Sequence, residues 1–267
     1  MTKKFKLGVI GAGFMSTAII GGAISSGFLS ASDIAVTDKN EEAKNRIAKR
    51  GVFVTDAKTV FNESEFVLFA VKPQNFAELK ADAENSPCKK LISIMAGVKK
   101  EKIKAVFCGA KVARCMPNTP CSVGSGAVGM DLSDYDDEKD AAFVKDLFSS
   151  FAKVAVLDES KLNAVTGISG SSPAYFYLFL KGIIEAGVKN GLDYETAKNF
   201  ATNTMIGAGK MVLDNSDKSL DELITAVCSK GGTTIEAINV YENGKLGELT
   251  QNAVDACVKR AEELESL

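Results

Sequence analysis

The sequence predicts an α/β protein in two parts, a doubly wound parallel sheet followed by an all-α domain. Three observations carry this. Short apolar runs at 6–10, 34–37, 66–71, 91–95 and 111–116 are brief enough to be buried parallel strands, and helix-length stretches separate the first of them. Such alternation of β and α is the signature of a doubly wound sheet. The strand signal stops after about residue 158, and 267 residues exceed the roughly 150 of an ordinary domain, so a second domain follows.

Taken in order, the run at 6–10 leads into a helix at 14–27. The run at 34–37 leads into another at 41–50. Strands at 123–130 and 153–157, with a helix at 137–151 between them, close the far edge of the sheet. The boundary is set at 158/159, with a dinucleotide-binding domain over 1–158 and a helical domain over 159–267. In the second part Ser172 reads as an N-cap and Pro173 as the first helical residue, where a missing N–H costs nothing. This helix runs to Asn190, and Gly191 is suited to end it. It is apolar nearly all round, from Tyr175 and Phe176 to Ile184 and Val188. Lys181 and Glu185 break any run of the ~20 apolar residues that a membrane span requires. Burial of such a helix in a small domain is met most simply by a second copy of the chain, so a homodimer is expected. Asp193 opens a helix to about 213. Ser219 and Glu222 have the spacing of a capping box, and helices at 234–242 and 247–264 follow.

Composition removes whole classes of chemistry. There is no histidine, which excludes imidazole acid–base catalysis, Ser-His and Cys-His nucleophile pairs and His-ligated metals; no metal site is expected. A net charge of −2 gives no footprint for nucleic acid or an anionic membrane. The six cysteines include no C-x-x-C pair and read as reduced, mostly buried residues. The basic start runs at once into a Gly-rich stretch unlike a signal peptide, so a cytoplasmic protein is expected.

The strongest local motif is Gly8, Gly11 and Gly13 followed by Ser16, directly after a strand and opening a helix. Gly11 permits a tight turn, Gly13 removes a Cβ that would block a pyrophosphate, and the helix N-terminus offers amides and a favourable dipole. A purely structural turn would use the same glycines. In its strand–loop–helix setting the motif points to a Rossmann-like cofactor site made by Gly11, Ala12, Gly13, Phe14 and Met15. Asp38, 25 residues after Gly13 at the end of the second strand, favours the free ribose hydroxyl of NAD. Lys39, and Lys58 if its loop folds back, favour the extra phosphate of NADP. Solvated charges at a strand end are the plainer alternative, and cofactor preference stays open. Ala70, Val71, Lys72 and Pro73, then Ala96 and Gly97, then Asn118, occupy three further strand ends on the edge where ligands lie. In the helical part, Cys228, Ser229, Lys230, Gly231, Gly232, Thr233 and Thr234 join two helices. The two glycines and the following helix start can form an anion-binding nest; a helix–turn–helix capped by Thr fits these residues equally well.

Together these motifs resemble the pyrroline-5-carboxylate reductase family over essentially the whole chain. The resemblance rests on the segments 8–13, 70–73, 114–120, 164–175 and 231–235. It departs from the family at Cys228 and Lys230, where Thr and Pro are usual, and at Ser172, where Gly is usual. It implies reduction of L-1-pyrroline-5-carboxylate to L-proline with NADPH or NADH, NADPH slightly favoured. It also implies a substrate site of Ser229, Gly231, Gly232, Thr233 and Thr234, with the Thr234 hydroxyl on the ring nitrogen as the catalytic group. A helical domain interleaved between two subunits is implied too, with a higher homo-oligomer open. Hydride transfer suits a chain without histidine, because the protein must mainly align donor and acceptor. A reductase of the β-hydroxyacid dehydrogenase type would place a catalytic lysine in the helix after the sheet, whose first lysine here is Lys181 in an apolar run. A non-catalytic nucleotide-binding scaffold would have no use for Ser229 and Thr234.

Overall fold

The structure is a computed structural model that describes residues 4–83 and 86–265, without the side chains of residues 73, 74 and 77. Its sheet unit is built on β1 (Phe5–Ile10), β2 (Ile34–Thr37), β3 (Phe53–Val54), β4 (Ser64–Phe69), β5 (Lys90–Ser93), β6 (Lys111–Pro117), β7 (Gly126–Asp131) and β8 (Ala152–Val156). The strand order is β3-β2-β1-β4-β5-β6-β7-β8. β1 pairs in parallel with β2 on one side and β4 on the other, Ile10 lying opposite Thr37 and Phe69. The order therefore reverses at β1, and in open sheets ligands bind at such a switch point beyond the carboxyl ends of the strands.

Alternation along the strands divides the core into two layers. Leu7 and Val9 of β1 and Phe66 and Leu68 of β4 face one layer, which is covered by α1 (Phe14–Ser25), α2 (Glu41–Ala48) and α5 (Glu138–Ser149). Val67 and Phe69 face the other, which contains Val60 and Phe61 of α3 (Ala57–Glu63) and Ile103 of α4 (Lys100–Val106). Both faces are covered, so each central strand reads as a continuous apolar run.

Four local features depart from the sequence reading. β3 is a two-residue edge strand beside β2. α3 and α4 are short helices that the pattern did not reveal. The strand expected at 123–130 starts at Gly126, because Thr119–Val123 forms a 3-10 turn closed by Gly124. It then returns antiparallel to β6; the link over 118–125 is shorter than the dozen or so residues a parallel crossover needs.

The start of the long apolar helix is also corrected. Ser172 is not an N-cap. α6 (Leu162–Val165) continues through a π-type turn (Thr166–Gly170), in which Ser171 N–H bonds Thr166 O at 2.9 Å, into α7 (Ser172–Lys189). Pro173 cannot donate to Ser169 O, and the Ser172 hydroxyl reaches that carbonyl instead at 3.5 Å. A wider turn ahead of a helical proline relieves the clash of its ring with the preceding carbonyl.

By packing, the sheet unit includes residues up to Pro173 and takes in the segment from Cys257. α6 explains part of this: Leu162 is fully buried, and Val165 lies so close to β7 that a Cβ on Gly129 would stand 2.9 Å from it.

The helical unit, Ala174–Ala256, holds most of α7, then α8 (Tyr194–Asp214), α9 (Leu220–Val227), α10 (Thr233–Asn243) and the first part of α11 (Leu246–Glu265). Its caps follow the sequence. Asp193 accepts Thr196 N–H at 3.0 Å, and Ser219 and Glu222 close a capping box. Beyond α7, Leu192 N–H bonds Gly187 O and Gly191 N–H bonds Val188 O, the paired bonds of a Schellman end. Large apolar side chains stand exposed along this unit, among them Phe176, Tyr177, Leu178 and Phe200. No helix among the described residues is long and apolar enough to cross a membrane.

Candidate active site

The first cluster lies at the switch point. Gly11 follows β1 with φ +105°, and its N–H bonds Thr37 O at 2.8 Å. A Cβ there would stand 2.5 Å from Ala70 O. The residue must be glycine because two neighbouring strand ends close on it. Gly13 has ordinary extended geometry (φ −73°, ψ −172°) as N-cap of α1, and a Cβ would meet nothing within 4 Å. No side chain caps this helix start and no acidic residue lies in its first turn. The first amides of α1 therefore face open space across a residue without a side chain, which is the shape and charge that a pyrophosphate fits. Ser16, 1% exposed, fills the third motif position and donates its hydroxyl to Gly13 O at 3.1 Å. Met15 packs on the core, whereas Phe14 is exposed.

Asp38 lies beside this loop, and its carboxylate accepts the N–H of Ala12 at 2.5 Å and of Asn40 at 2.8 Å. Arg46, 34 residues away, donates to Ala12 O at 3.0 Å. The sequence reading missed Arg46. One arginine on a charged helix gives no signal that it reaches back to a loop carbonyl. Lys39 is paired with Glu78 at the surface. Lys58 is exposed on α3 and has no ion-pair partner among the described residues.

The remaining strand ends diverge in role. Ala70 N–H bonds Ile10 O at 2.9 Å, which brings 70–71 to the Gly11 turn. Lys72 is exposed and heads the 3-10 turn Pro73–Lys80; the side chain of Pro73 lies outside the described part. After β5, Ala96 is exposed but Gly97 is buried, turned towards Leu264. Asn118 is 8% exposed; its carbonyl accepts Ala127 N–H at 3.0 Å and its amide donates to Ser169 Oγ at 3.2 Å. It ties β6, β7 and the π-type turn together. Burial pushes the Cys115 and Cys121 thiols up, so both stay protonated and neither serves as a nucleophile.

The second cluster belongs to the helical unit. After α9, Gly232 N–H bonds Ser229 O at 2.9 Å and Gly231 has φ +72°. Residues 229–232 thus form a β-turn of type II character, with Gly231 at the position that demands positive φ. The Ser229 hydroxyl is folded over Gly232, where a Cβ would meet it at 2.2 Å. Gly232 is the N-cap of α10 and offers no side-chain cap, so a threonine-capped helix start is not what forms. Thr233 and Thr234 stand in the first turn, with hydroxyls that have no hydrogen-bond partner among the described residues. The first-turn amides, the Ser229 hydroxyl and the Thr234 hydroxyl together offer donors to a small anion.

Comparison with known proteins covers both parts of the chain. Residues 159–264 match the family model for pyrroline-5-carboxylate reductase dimerisation, and residues 6–97 match that for NADP oxidoreductase, coenzyme F420-dependent. The chain is 38% identical to a pyrroline-5-carboxylate reductase of Haemophilus influenzae, with 97% of each chain covered. It is 37% identical to one of Arabidopsis thaliana, covering 98% of this chain and 96% of that one. Among solved structures, the Coxiella burnetii pyrroline-5-carboxylate reductase superposes with a TM-score of 0.87 at 32% identity, over 98% of each chain. The Plasmodium falciparum pyrroline carboxylate reductase with NADP bound gives 0.88 at 27% identity, over 99% of this chain and 100% of that one. With a glycine-led helix start at the switch point, a second one in the helical unit, and relatives of this identity along its whole length, the chain belongs to the pyrroline-5-carboxylate reductase family.

Proposed function

We infer that the protein reduces L-1-pyrroline-5-carboxylate to L-proline with NADPH or NADH. The observation that carries this reading is the pair of uncapped, glycine-led helix starts, α1 and α10, in a chain 38% identical to a named reductase. When bound, the reduced nicotinamide cofactor supplies the hydride. Gly11, Ala12, Gly13, Phe14 and Met15 hold its pyrophosphate on the α1 amides. Asp38 reads the adenosine ribose, with Lys39 and Lys58 able to offset it. Ala70, Val71, Lys72, Pro73, Ala96, Gly97 and Asn118 line the edge that leads to the reacting end.

The Gly232 amide is taken by Ser229 O, so the substrate carboxylate rests on the amides of Thr233 and Thr234, assisted by the Ser229 hydroxyl, with Gly231 and Gly232 forming the turn that presents them. The Thr234 hydroxyl holds the ring nitrogen as imine becomes amine. The proton on that nitrogen comes from solvent near neutrality, so no histidine is required. The functional division is a cofactor half over 1–158 and a substrate and assembly half over 159–267. The exposed apolar side chains of α7 and α8 favour assembly as a homodimer through the helical unit, with larger homo-oligomers built from it. Cysteines that form no disulfide among the described residues suit the reducing cytoplasm. Loss of NADPH or NADH absorbance on adding the pyrroline substrate tests the activity. Turnover with at least one cofactor is expected, and its absence with both overturns the reading.

A further inference from the structure

We propose that Glu265 is a positioning residue for the cofactor, acting from the end of α11 on the loop that follows β5. The proposal rests on the reading above that Ala96 and Gly97 border the cofactor. Four observations converge on that loop. The segment from Cys257 packs within the sheet unit. Gly97 has φ +71°, and a Cβ on it would stand 2.8 Å from the Cβ of Leu264. The Glu265 carboxylate, 8% exposed, accepts Arg114 Nη2 at 2.7 Å and faces Lys99 Nζ at 3.4 Å. Arg114, 1% exposed, also donates to Glu159 Oε1 at 3.2 Å, and that same oxygen accepts the backbone N–H of Lys100 at 2.9 Å.

The loop is therefore gripped at 97, 99 and 100 by residues 159, 264 and 265, with one buried guanidinium joining the two carboxylates. Burial opposes the charge on Glu265, but hydrogen bonds from Arg114 and Asn163 outweigh it and hold the carboxyl below its ordinary range, so the grip is ionic at neutral pH. The exposed side of the same loop is Ala96. Its position is set by what holds its buried side, and loosening that side weakens cofactor alignment without touching the substrate turn at 229–232.

The test uses the full chain with NADPH. Glu265→Gln should raise the KM for NADPH about threefold to tenfold, with the KM for the pyrroline substrate within about twofold of wild type. Lys99→Met, which removes the more exposed partner, should raise the NADPH KM by a smaller factor and fold normally. A stabilising role alone lowers the melting temperature and leaves the NADPH KM where it was; that result in either variant overturns the proposal. NADPH binding by the wild type, followed by cofactor fluorescence, separates the two levels of inference. No binding at all removes the cofactor reading, whereas normal wild-type binding with an unaltered variant KM removes only the positioning role.

Discussion

Gly11 and Gly13 belong to one motif, yet their substitution should fail in opposite ways. In Gly11→Ala the new Cβ is forced to 2.5 Å from a backbone oxygen, at a φ of +105° that L-residues rarely adopt. The backbone conformation costs about 1–3 kcal/mol and the overpacking about as much again. A loss of about 4 kcal/mol is the central expectation, and for a chain of this size it lowers Tm by roughly 8–16 °C. Gly13→Val meets no protein atom and keeps an ordinary backbone geometry. Its cost is that of exchanging glycine for valine at an N-cap, under about 1 kcal/mol. The isopropyl group instead fills the space in front of the α1 amides, and NADPH binding should fall by about a hundredfold or more, ~2.7 kcal/mol. Differential scanning calorimetry and NADPH titration of the two variants give the four numbers needed. Gly13→Val binding NADPH like wild type, or melting as early as Gly11→Ala, refutes the placement of the pyrophosphate.

Thr234 lies inside α10 rather than capping it, so Thr234→Ala should leave stability unharmed while lowering kcat/KM about tenfold or more. Thr234→Ser should keep most activity, and an alanine variant with wild-type kinetics removes the residue from the site. Cofactor preference should stay below about a hundredfold, and Asp38→Ser should shift the kcat/KM ratio towards NADPH. An unchanged ratio means that Asp38 serves only the Ala12 and Asn40 amides. Wild-type protein should scatter light as a dimer or larger at micromolar concentration, and Phe179→Glu, on the apolar helix beside Tyr241, should break the assembly or the fold; a stable wild-type monomer counts against this. Burial opposes ionisation of Asp131, but hydrogen bonds from Lys100 and Ser133 prevail and hold its carboxyl below the usual value. Its contribution is thus present above the unfolded pKa of about 3.9 and lost as pH falls through the lower folded value. Asp131→Asn should cost about 3 kcal/mol at neutral pH and flatten the acid limb of the stability curve; an unchanged limb excludes this pair as its cause.

The sheet was legible where burial writes a run of apolar residues, as in β1 and β4. It was illegible where an element is anchored by one or two side chains. β3 has two residues, and α4 buries only Lys100 and Ile103, so neither leaves a period to detect. Ser172-Pro173 misled because a helix start and a π-type turn place the same demands on that pair: a hydroxyl to satisfy a carbonyl and no N–H to lose. At the site, Gly11 and Gly13 could be read because their contribution is a missing side chain, which only glycine supplies. Arg46 on Ala12 O and Glu265 on Arg114 could not, because long polar side chains pair across 34 and 151 residues with no spacing rule between them.

The last of these pairings also orders events on the ribosome. Arg114 leaves the tunnel 151 residues before Glu265. At about 5–20 residues per second that is a delay of roughly 8–30 s. Once Glu159 has followed, 45 residues after Arg114, the sheet unit has its strands but only one of the two carboxylates for a guanidinium it is meant to bury, and the whole helical unit is made in the time that remains. A nascent chain stalled near residue 240 should therefore present an unfinished first unit to protease, and release of the last turn of α11 should close it. Protection of residues 1–173 at the stalled stage would show that the first unit matures without waiting for its final strap.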